Sequence, residues 1–342
     1  YYNSCDRQAL KTLFCEFQRT TSQHEKTTIG YPPSFYLNVG IAIGMVSSGD
    51  MRTCLSTTQL DALLSTANGH DLDGDREFAA IVALMLGALG TGDTALANCV
   101  SLTDKQNIRP YFWFMKHLCR LLIEWSDQIS IESDWSDEYS LFAAAGSFLY
   151  SAVRCKSEVV TDKLLDCLSS LDSMIINTSE GLAYKRMQTA RDFAMDVCIL
   201  SLCILNSGTM EPKILRQLSR HFSSSLDHNH GRSVLHSMAA GFLCMQMDQR
   251  LDLSDHFTIS AVIISTLPVW SRDFVDMSTY FMPLRYLWAT ATLTHSGNPN
   301  KKAHEPICEA STILCENAIY QAFTHDRCQW TPQQLADIFK KQ

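Results

Sequence analysis

Three clusters of charged and imidazole side chains could do chemistry in this 342-residue chain. The first, Asp71-Leu72-Asp73-Gly74-Asp75, is similar to the start of a calcium-binding loop. Such a loop needs glycine at its sixth position and glutamate at its twelfth, where this chain has Arg76 and Val82. We therefore interpret these aspartates as the polar loop and N-terminal cap of the next helix, whose dipole favours negative charge there.

The second cluster is rich in histidine and contains Asp227, with His221, His228, His230 and His236. A His-x-His pair beside an aspartate could bind zinc, but no cysteine stands at a regular ligand spacing nearby. We therefore predict no metal site in this segment.

The third cluster is acidic and interleaved with two aromatic residues: Glu132, Asp134, Asp137 and Glu138 with Trp135 and Tyr139. A carboxylate pair could do acid/base work there, as in α/α-toroid glycosidases, but no second acidic motif with comparable aromatic neighbours occurs. A solvated acidic loop is the default interpretation, and a docking site for a basic partner segment is the alternative. Because no G-x-S-x-G, Walker-type or G-x-G-x-x-G sequence occurs, we predict no catalytic residue and no cofactor.

The composition favours a helical, globular chain, with 46% hydrophobic and 19% charged residues. Only 15 glycines and 9 prolines are present, too few for the many tight turns of an all-β protein. The net charge of −8, without basic clusters, argues against nucleic-acid or membrane-surface partners. The longest apolar stretch, Phe78 to Leu89, is shorter than the ~20 residues that span a bilayer. Since the chain starts at Tyr1 without a leader, we expect a segment of a longer protein.

Thirteen cysteines lie mostly inside apolar runs, without any CxxC pair. Their odd number and the length of the chain argue against a disulfide framework. We interpret the cysteines as small buried hydrophobic residues in a reducing compartment.

An apolar helix rich in small residues, followed by a short polar turn, recurs at 36–45, 78–89, 140–153, 196–205 and 233–245. Sites that we treat as equivalent, Gly44, Met85, Ala152, Cys203 and Gly241, lie 41, 67, 51 and 38 residues apart. Two of these intervals match a helix-pair unit of ~40 residues. Spacing therefore favours an α-solenoid, and an irregular all-α domain is the alternative.

The residues after Pro110 are predicted to form an amphipathic helix over 111–125. Lys116, Arg120 and Glu124 form an i, i+4 ladder on its polar side. Because only one face is apolar, we expect this helix on an outer surface, within an insertion over 101–138.

Glycines at two kinds of position have a predicted structural role. Gly40 and Gly44, four residues apart on one helix stripe, would let a neighbouring helix approach closely. Gly90 and Gly92 can supply the left-handed residue that ends the Phe78 helix. The alternative for Gly40 and Gly44 is that they are accidental glycines in a tolerant helix.

The segment SFYLNVGIAIGM, residues 34–45, resembles the opening helix of a proteasome/cyclosome repeat. The LCRLLIEW helix, and H-x-M-A-x-G followed downstream by L-R-Y-L, favour the family of the largest scaffold subunit of the anaphase-promoting complex (cyclosome). The proteasome's non-ATPase scaffolds share the repeat but not these features. The resemblance covers about residues 8 to 292, and its later segments follow in the family's order: 81–93, 114–129, 141–149, 198–208, 236–243 and 282–291.

The resemblance implies an all-α solenoid of two-helix repeats that curves into a toroidal arc with inner and outer helix layers. About five repeats would occupy residues 1–292, followed by a C-terminal extension of uncertain structure over 293–342. It also implies a hydrogen-bonded structural role for His236. The expected structural repeat positions are Gly40, Gly44, Gly87, Gly90, Gly92, Gly146, Gly208 and Gly241.

The function implied by the resemblance is a non-enzymatic platform inside a cell-cycle ubiquitin ligase, in the nucleus and cytoplasm. The implied partners are a cullin-type catalytic subunit, a Doc-domain substrate-recognition subunit and a co-activator, with no small-molecule substrate. One alternative is a scaffold of the proteasome regulatory particle. Another, from a different class, is an α/α-toroid enzyme with an acidic centre.

Overall fold

The computed structural model describes residues 2–18, 33–69, 74–102, 110–127, 135–155, 157–176, 181–224, 230–245, 249–267 and 282–294. Over these residues the chain is mostly α-helical. A 3-10 helix (Met282–Ala291) and two short strands, β1 (Gln249–Leu251) and β2 (Thr292–Thr294), accompany the α-helices. The α-helices are α1 (Arg7–Gln18), α2 (Pro33–Val46), α3 (Met51–Cys54), α4 (Thr57–Ala67), α5 (Gly74–Gly87), α6 (Thr94–Cys99), α7 (Pro110–Glu124), α8 (Glu138–Arg154), α9 (Glu158–Asp172), α10 (Leu182–Leu205), α11 (Pro212–Ser224), α12 (His230–Leu243) and α13 (His256–Thr266).

Side-chain caps fix where several helices begin. Ser56 accepts a hydrogen bond from the backbone N–H of Gln59 at the start of α4, and the Gln59 side chain completes a capping box. The Asp137 and Asp255 carboxylates likewise accept from the N–H three residues on, at the starts of α8 and α13. These caps satisfy amide groups that have no partner inside the helix, so the helix starts are encoded locally.

Six helices, α2, α5, α7, α8, α10 and α12, pack one beside the next in chain order, and we call them the helix series. The neighbours α2–α5, α5–α7, α7–α8 and α10–α12 run parallel. The α5 and α7 starts meet at Phe78 and Tyr111, whose ring centroids are 5.9 Å apart. Beyond their ends, the Gly90 N–H donates to the Leu122 carbonyl at 2.9 Å. Parallel helices must be joined by a returning segment, and this is where the second group of helices lies.

The second group, α1, α4, α6, α9 and α11, packs against the helix series. Helix α9 shows how the second group is oriented. Successive residues along α9 contact progressively earlier residues along α10. The Asn206 side chain donates to Thr161 Oγ1 at 3.2 Å, and the Cys198 thiol donates to the Leu164 carbonyl at 3.3 Å. The α9–α10 unit is therefore an antiparallel helix pair.

Helix α7 corrects a prediction made from its amphipathic pattern. We expected one buried face on an outer surface, but α7 lies between α5 and α8, and residues on every side of it are buried. Lys116, predicted on the polar face, is fully buried, and its Nζ lies 3.0 Å from Glu77 Oε1 of α5. Arg120 and Glu124 keep the predicted i, i+4 pairing at 3.7 Å. The prediction was wrong because α5 supplies a carboxylate that lets the polar face be covered.

The apolar helices predicted from the sequence coincide with α2, α5, α8, α10 and α12, although the predicted ranges 78–89 and 233–245 extend past the ends of α5 and α12, and this agreement confirms the all-α class. The buried apolar side chains form one continuous core that extends from Leu10 to Ala291. The described strands add only a two-stranded antiparallel ribbon, in which Arg250 pairs with Leu293. Within the described ranges, no helix combines the length and apolar character needed to cross a membrane. Residues 295–342 of the predicted C-terminal extension lie outside the described residues.

Candidate functional site: helix interfaces and the turns between repeats

The same backbone arrangement joins neighbouring helices of the series at two turns. After α5, the N–H groups of Gly90 and Gly92 donate to the Leu122 and Ile123 carbonyls at the end of α7, both at 2.9 Å. After α10, the N–H groups of Gly208 and Met210 donate to Phe242 and Leu243 at the end of α12, at 3.0 and 3.2 Å. Each turn therefore satisfies carbonyl groups that have no partner inside the next helix.

A third copy of this arrangement lies at the start of the chain. The N–H groups of Asn3 and Cys5 donate to the Met45 and Val46 carbonyls at the end of α2, at 2.9 and 3.1 Å. All six donor residues of the three copies have positive φ, between 46° and 72°. The left-handed conformation predicted at Gly90 and Gly92 is thus confirmed. At Asn3, Cys5 and Met210 the left-handed conformation was not predicted. Residues with a side chain rarely adopt it, and of these three only asparagine does so occasionally.

The α2–α5 interface has the close approach predicted at Gly40 and Gly44. A Cβ atom on Gly40 would overlap the Ala79 carbonyl oxygen and lie 2.9 Å from its carbon. A Cβ atom on Gly44 would lie 2.7 Å from Leu86 Cβ and 3.0 Å from the Ala83 oxygen. Because backbone atoms cannot move aside as a side chain can, the helix axes stay close only with glycine at these positions.

Two further predicted glycines also lie in crowded places. At the end of α5, a Cβ on Gly87 would lie 2.6 Å from Met51 Cε. On α8, a Cβ on Gly146 would lie 3.1 Å from His117 Cδ2 and 3.3 Å from the Leu118 nitrogen of α7. The equivalence of the predicted glycines as repeat positions stays a prediction.

Gly241 differs from Gly40 and Gly44. We expected close helix packing there, but outside its own helix and chain neighbours no described residue has an atom within 4 Å of a Cβ built on Gly241, so close packing at this position stays a prediction. The α10–α12 interface is instead joined by a polar pair. His236 Nε2 lies 3.0 Å from Asp196 Oδ1, and both residues are buried. A ring N–H can donate to that carboxylate, so the hydrogen-bonded role expected of His236 is confirmed.

The α7–α8 interface combines both kinds of contact. Beside Gly146, His117 Nε2 lies 3.2 Å from the Ser147 hydroxyl oxygen. Burial first, and then the positive charge of Arg120, lowers the pKa of His117 to about 4. His117 is therefore neutral at physiological pH and can share one hydrogen with Ser147.

The three clusters that could do chemistry are only partly described. Asp71, Asp73, Asp227, His228, Glu132 and Asp134 lie outside the described residues. Asp137 is the N-cap of α8, and Trp135 and Tyr139 pack against the core, so this part of the acidic segment begins a helix. In the part of the chain that the structure describes, no group of three histidine, cysteine or acidic side chains could hold a metal ion.

The cysteines depart from expectation in two ways. Cys5 and Cys54 form a disulfide, with Cα atoms 5.1 Å apart, because the first residues run along the end of α2 and reach α3. Cys15 and Cys99 are exposed rather than buried. Four others are free and buried, as expected: Cys119, Cys167, Cys198 and Cys203. Burial raises the pKa of Cys198 and Cys203 well above the ordinary thiol value, so these two stay neutral.

Comparison with known proteins identifies the family. The family model described as the APC1 fifth domain matches residues 1–140 and 145–293. No curated protein matches the chain. The matched residues include α2, α5, α7 and α10 in full, together with the turns that join them. By this match over most of its length, the chain belongs to the family of the APC1 fifth domain.

Proposed function

We propose that the chain is a non-enzymatic scaffold segment of the anaphase-promoting complex/cyclosome, a cell-cycle ubiquitin ligase. The observation that carries this proposal is the match to the APC1 fifth domain over residues 1–140 and 145–293. Its work is to hold other subunits at a fixed distance and angle. In this role the chain itself transfers no ubiquitin, and it functions in the nucleus and the cytoplasm.

The proposed architecture is a toroidal arc of proteasome/cyclosome repeats over residues 1–292. The helix series would be its inner layer, and α1, α4, α6, α9 and α11 its outer layer. Two observations support this arrangement: four neighbouring pairs of the series run parallel, and three turns share the same pair of backbone hydrogen bonds. Repeated units that contact only their neighbours add small rotations in one sense, which produces a curved scaffold.

The physical basis of the scaffold role is a fixed spacing between neighbouring helices. At the α2–α5 interface, backbone atoms lie against Gly40 and Gly44, so these helices cannot move closer. At the turns, paired hydrogen bonds oppose sliding, because a shift of one residue would break both bonds at once. The proposed partners are the cullin-type catalytic subunit, the Doc-domain subunit and the co-activator.

The test is reconstitution of the complex with and without this chain. We expect the chain to co-purify with subunits of the complex, and the complex to require it for ubiquitin transfer to substrate. We expect the purified chain alone to transfer no ubiquitin when it is given activating and conjugating enzymes. A folded chain, with helical circular dichroism, that binds none of these subunits would contradict the proposal.

A further inference from the structure

Helix α10 has two halves with opposite surroundings. From Ala190 onward it is covered by its neighbours, and Phe193 stacks on Phe142 of α8 with ring centroids 4.8 Å apart. Before Ala190, residues 182–189 are exposed, except for the half-buried Met187. At 1.5 Å per residue these eight residues extend the helix by about 12 Å. We call this segment the α10 extension.

The exposed apolar side chains concentrate around the α10 extension. The large hydrophobic residues that are exposed in the described chain are Val159, Ile175, Leu182 and Tyr184, of which three lie at this end of the α9–α10 pair. Leu182 is 68% exposed and Ile175, just beyond the end of α9, is 80% exposed. Exposed apolar side chains at one end of a helix pair can contribute to an interaction surface when other features of that end point to a partner.

The charge of the α10 extension is positive in a chain whose net charge is −8. Lys185 and Arg186 are both exposed, and neither forms an ion pair with a described residue. No acidic residue occupies the first turn of α10, so the positive end of the helix dipole adds to these two cations. Leu182, Lys185 and Arg186 share one helix face, since residues three and four apart are neighbours on a helix.

We propose that the α10 extension is a docking surface for an acidic segment of a partner protein, and that this segment also carries an apolar side chain. The cations of Lys185 and Arg186 pair with its carboxylates, and Leu182, on the same helix face, contacts the apolar side chain. Charge complementarity selects an acidic partner, because a basic segment would meet two unpaired cations and the helix dipole. The inference rests on the proposed function, since the partner is another subunit of the complex.

The experiment compares charge reversal at two exposed places. The double variant Lys185→Glu/Arg186→Glu changes the α10 extension. The matched control, Lys163→Glu/Lys213→Glu, makes the same charge change at exposed positions of α9 and α11. Binding of each chain to the complex reconstituted from the other subunits is measured at two salt concentrations. We expect the α10 variant to bind about tenfold more weakly at low salt, with a smaller salt dependence, and the control to bind like the parent.

Carbodiimide coupling, which joins a lysine amine to a neighbouring carboxylate, locates the partner segment in the assembled complex. We expect Lys185 to couple to an aspartate or glutamate of another subunit. A parent chain that fails to bind the complex contradicts the proposed function. If the parent and the α10 variant bind equally, or if Lys185 couples only to a second copy of this chain, the docking surface is wrong while the scaffold function stands.

Discussion

The α2–α5 and α10–α12 interfaces join parallel helices of the same series by different means. In the first, the glycines at positions 40 and 44 bring the helices so close that backbone atoms touch. In the second, no described atom outside its own helix and chain neighbours lies within 4 Å of a Cβ built on Gly241, and the buried pair His236–Asp196 joins the two helices at 3.0 Å. Close backbone packing thus distinguishes the first interface, and a buried side-chain hydrogen bond distinguishes the second.

This difference shows that a repeat can keep its helix direction while exchanging the contacts that hold it. A closely packed interface is destabilised when a substitution adds atoms to it. A buried polar pair is destabilised when a substitution removes one of the two hydrogen-bonding partners. The α7–α8 interface stands between the two, because Gly146 is crowded and His117 also contacts Ser147. Substitutions should therefore have effects that depend on the interface rather than on the residue type.

The largest effect is expected at Gly40. Gly40→Leu must push α2 away from the Ala79 backbone, and we expect it to lower the free energy of unfolding by about 3 kcal/mol. Gly44→Leu should also destabilise the fold, because Leu86 Cβ and the Ala83 oxygen are close to Gly44.

Urea unfolding followed by circular dichroism measures the effect of both variants. Asn38→Leu, at an exposed position of α2, is the control and should leave the unfolding midpoint unchanged. If Gly40→Leu unfolds at the same urea concentration as the parent, shape does not set this interface.

The next effect is expected at the polar pair. His236→Leu removes the N–H that donates to Asp196, and we expect a loss of about 2 kcal/mol of unfolding free energy. The double variant His236→Leu/Asp196→Leu should recover part of this loss, because it removes the buried carboxylate as well. A double-mutant cycle measures the coupling between the two residues. Strictly additive losses would show that the pair contributes no coupling to the α10–α12 interface.

A smaller effect, dependent on pH, is expected at the α7–α8 interface. The folded pKa of His117 is about 4, below the ordinary value near 6.5 that applies in the unfolded chain. As the pH falls, the unfolded chain therefore binds the proton first, so stability is lost from about pH 6.5 down to about pH 4. Between pH 7 and pH 5 we expect His117 to account for a loss of about 1–2 kcal/mol.

The measurement is urea unfolding of the parent and of His117→Gln at pH 7, 6 and 5. The variant lacks the titrating ring, so the parent should lose more stability than the variant across this range. Equal losses in the two proteins would assign the pH dependence to other groups.

The smallest effect, of opposite sign, is expected at Gly241. Gly241→Ala places a methyl group where no described atom outside its own helix and chain neighbours lies within 4 Å, and alanine favours the helix by up to about 1 kcal/mol over glycine. We therefore expect a slightly higher melting temperature, measured by differential scanning calorimetry. A clear decrease would show that Gly241 is packed as tightly as Gly40, and the contrast between the two interfaces would disappear.

Much of the fold could be predicted from the sequence, because its signals are local. The apolar runs rich in small residues overlap α2, α5, α8, α10 and α12, and the Gly90 turn has the predicted left-handed backbone. The close approach at Gly40 and Gly44 followed from their spacing on one helix stripe. Part of the candidate site followed too, since a hydrogen-bonded role was expected of His236.

Other features could not be predicted, because each depends on a residue far away in the chain. The covered polar face of α7 requires Glu77 beside Lys116, and the Cys5–Cys54 disulfide requires the chain start to reach α3. The different environments of Gly40 and Gly241 depend on which atoms face them, although both are helical glycines among apolar residues.

By itself, the sequence determined which segments are helical, where several of them begin, and which family the chain resembles. These properties depend on hydrogen bonds within a few residues and on apolar periodicity, both of which are written in consecutive positions. Only the tertiary structure decided which helices are neighbours, which glycines are crowded, and where α10 extends beyond its neighbours. Burial is a property of pairs of helices, so no single helix carries the information that fixes it.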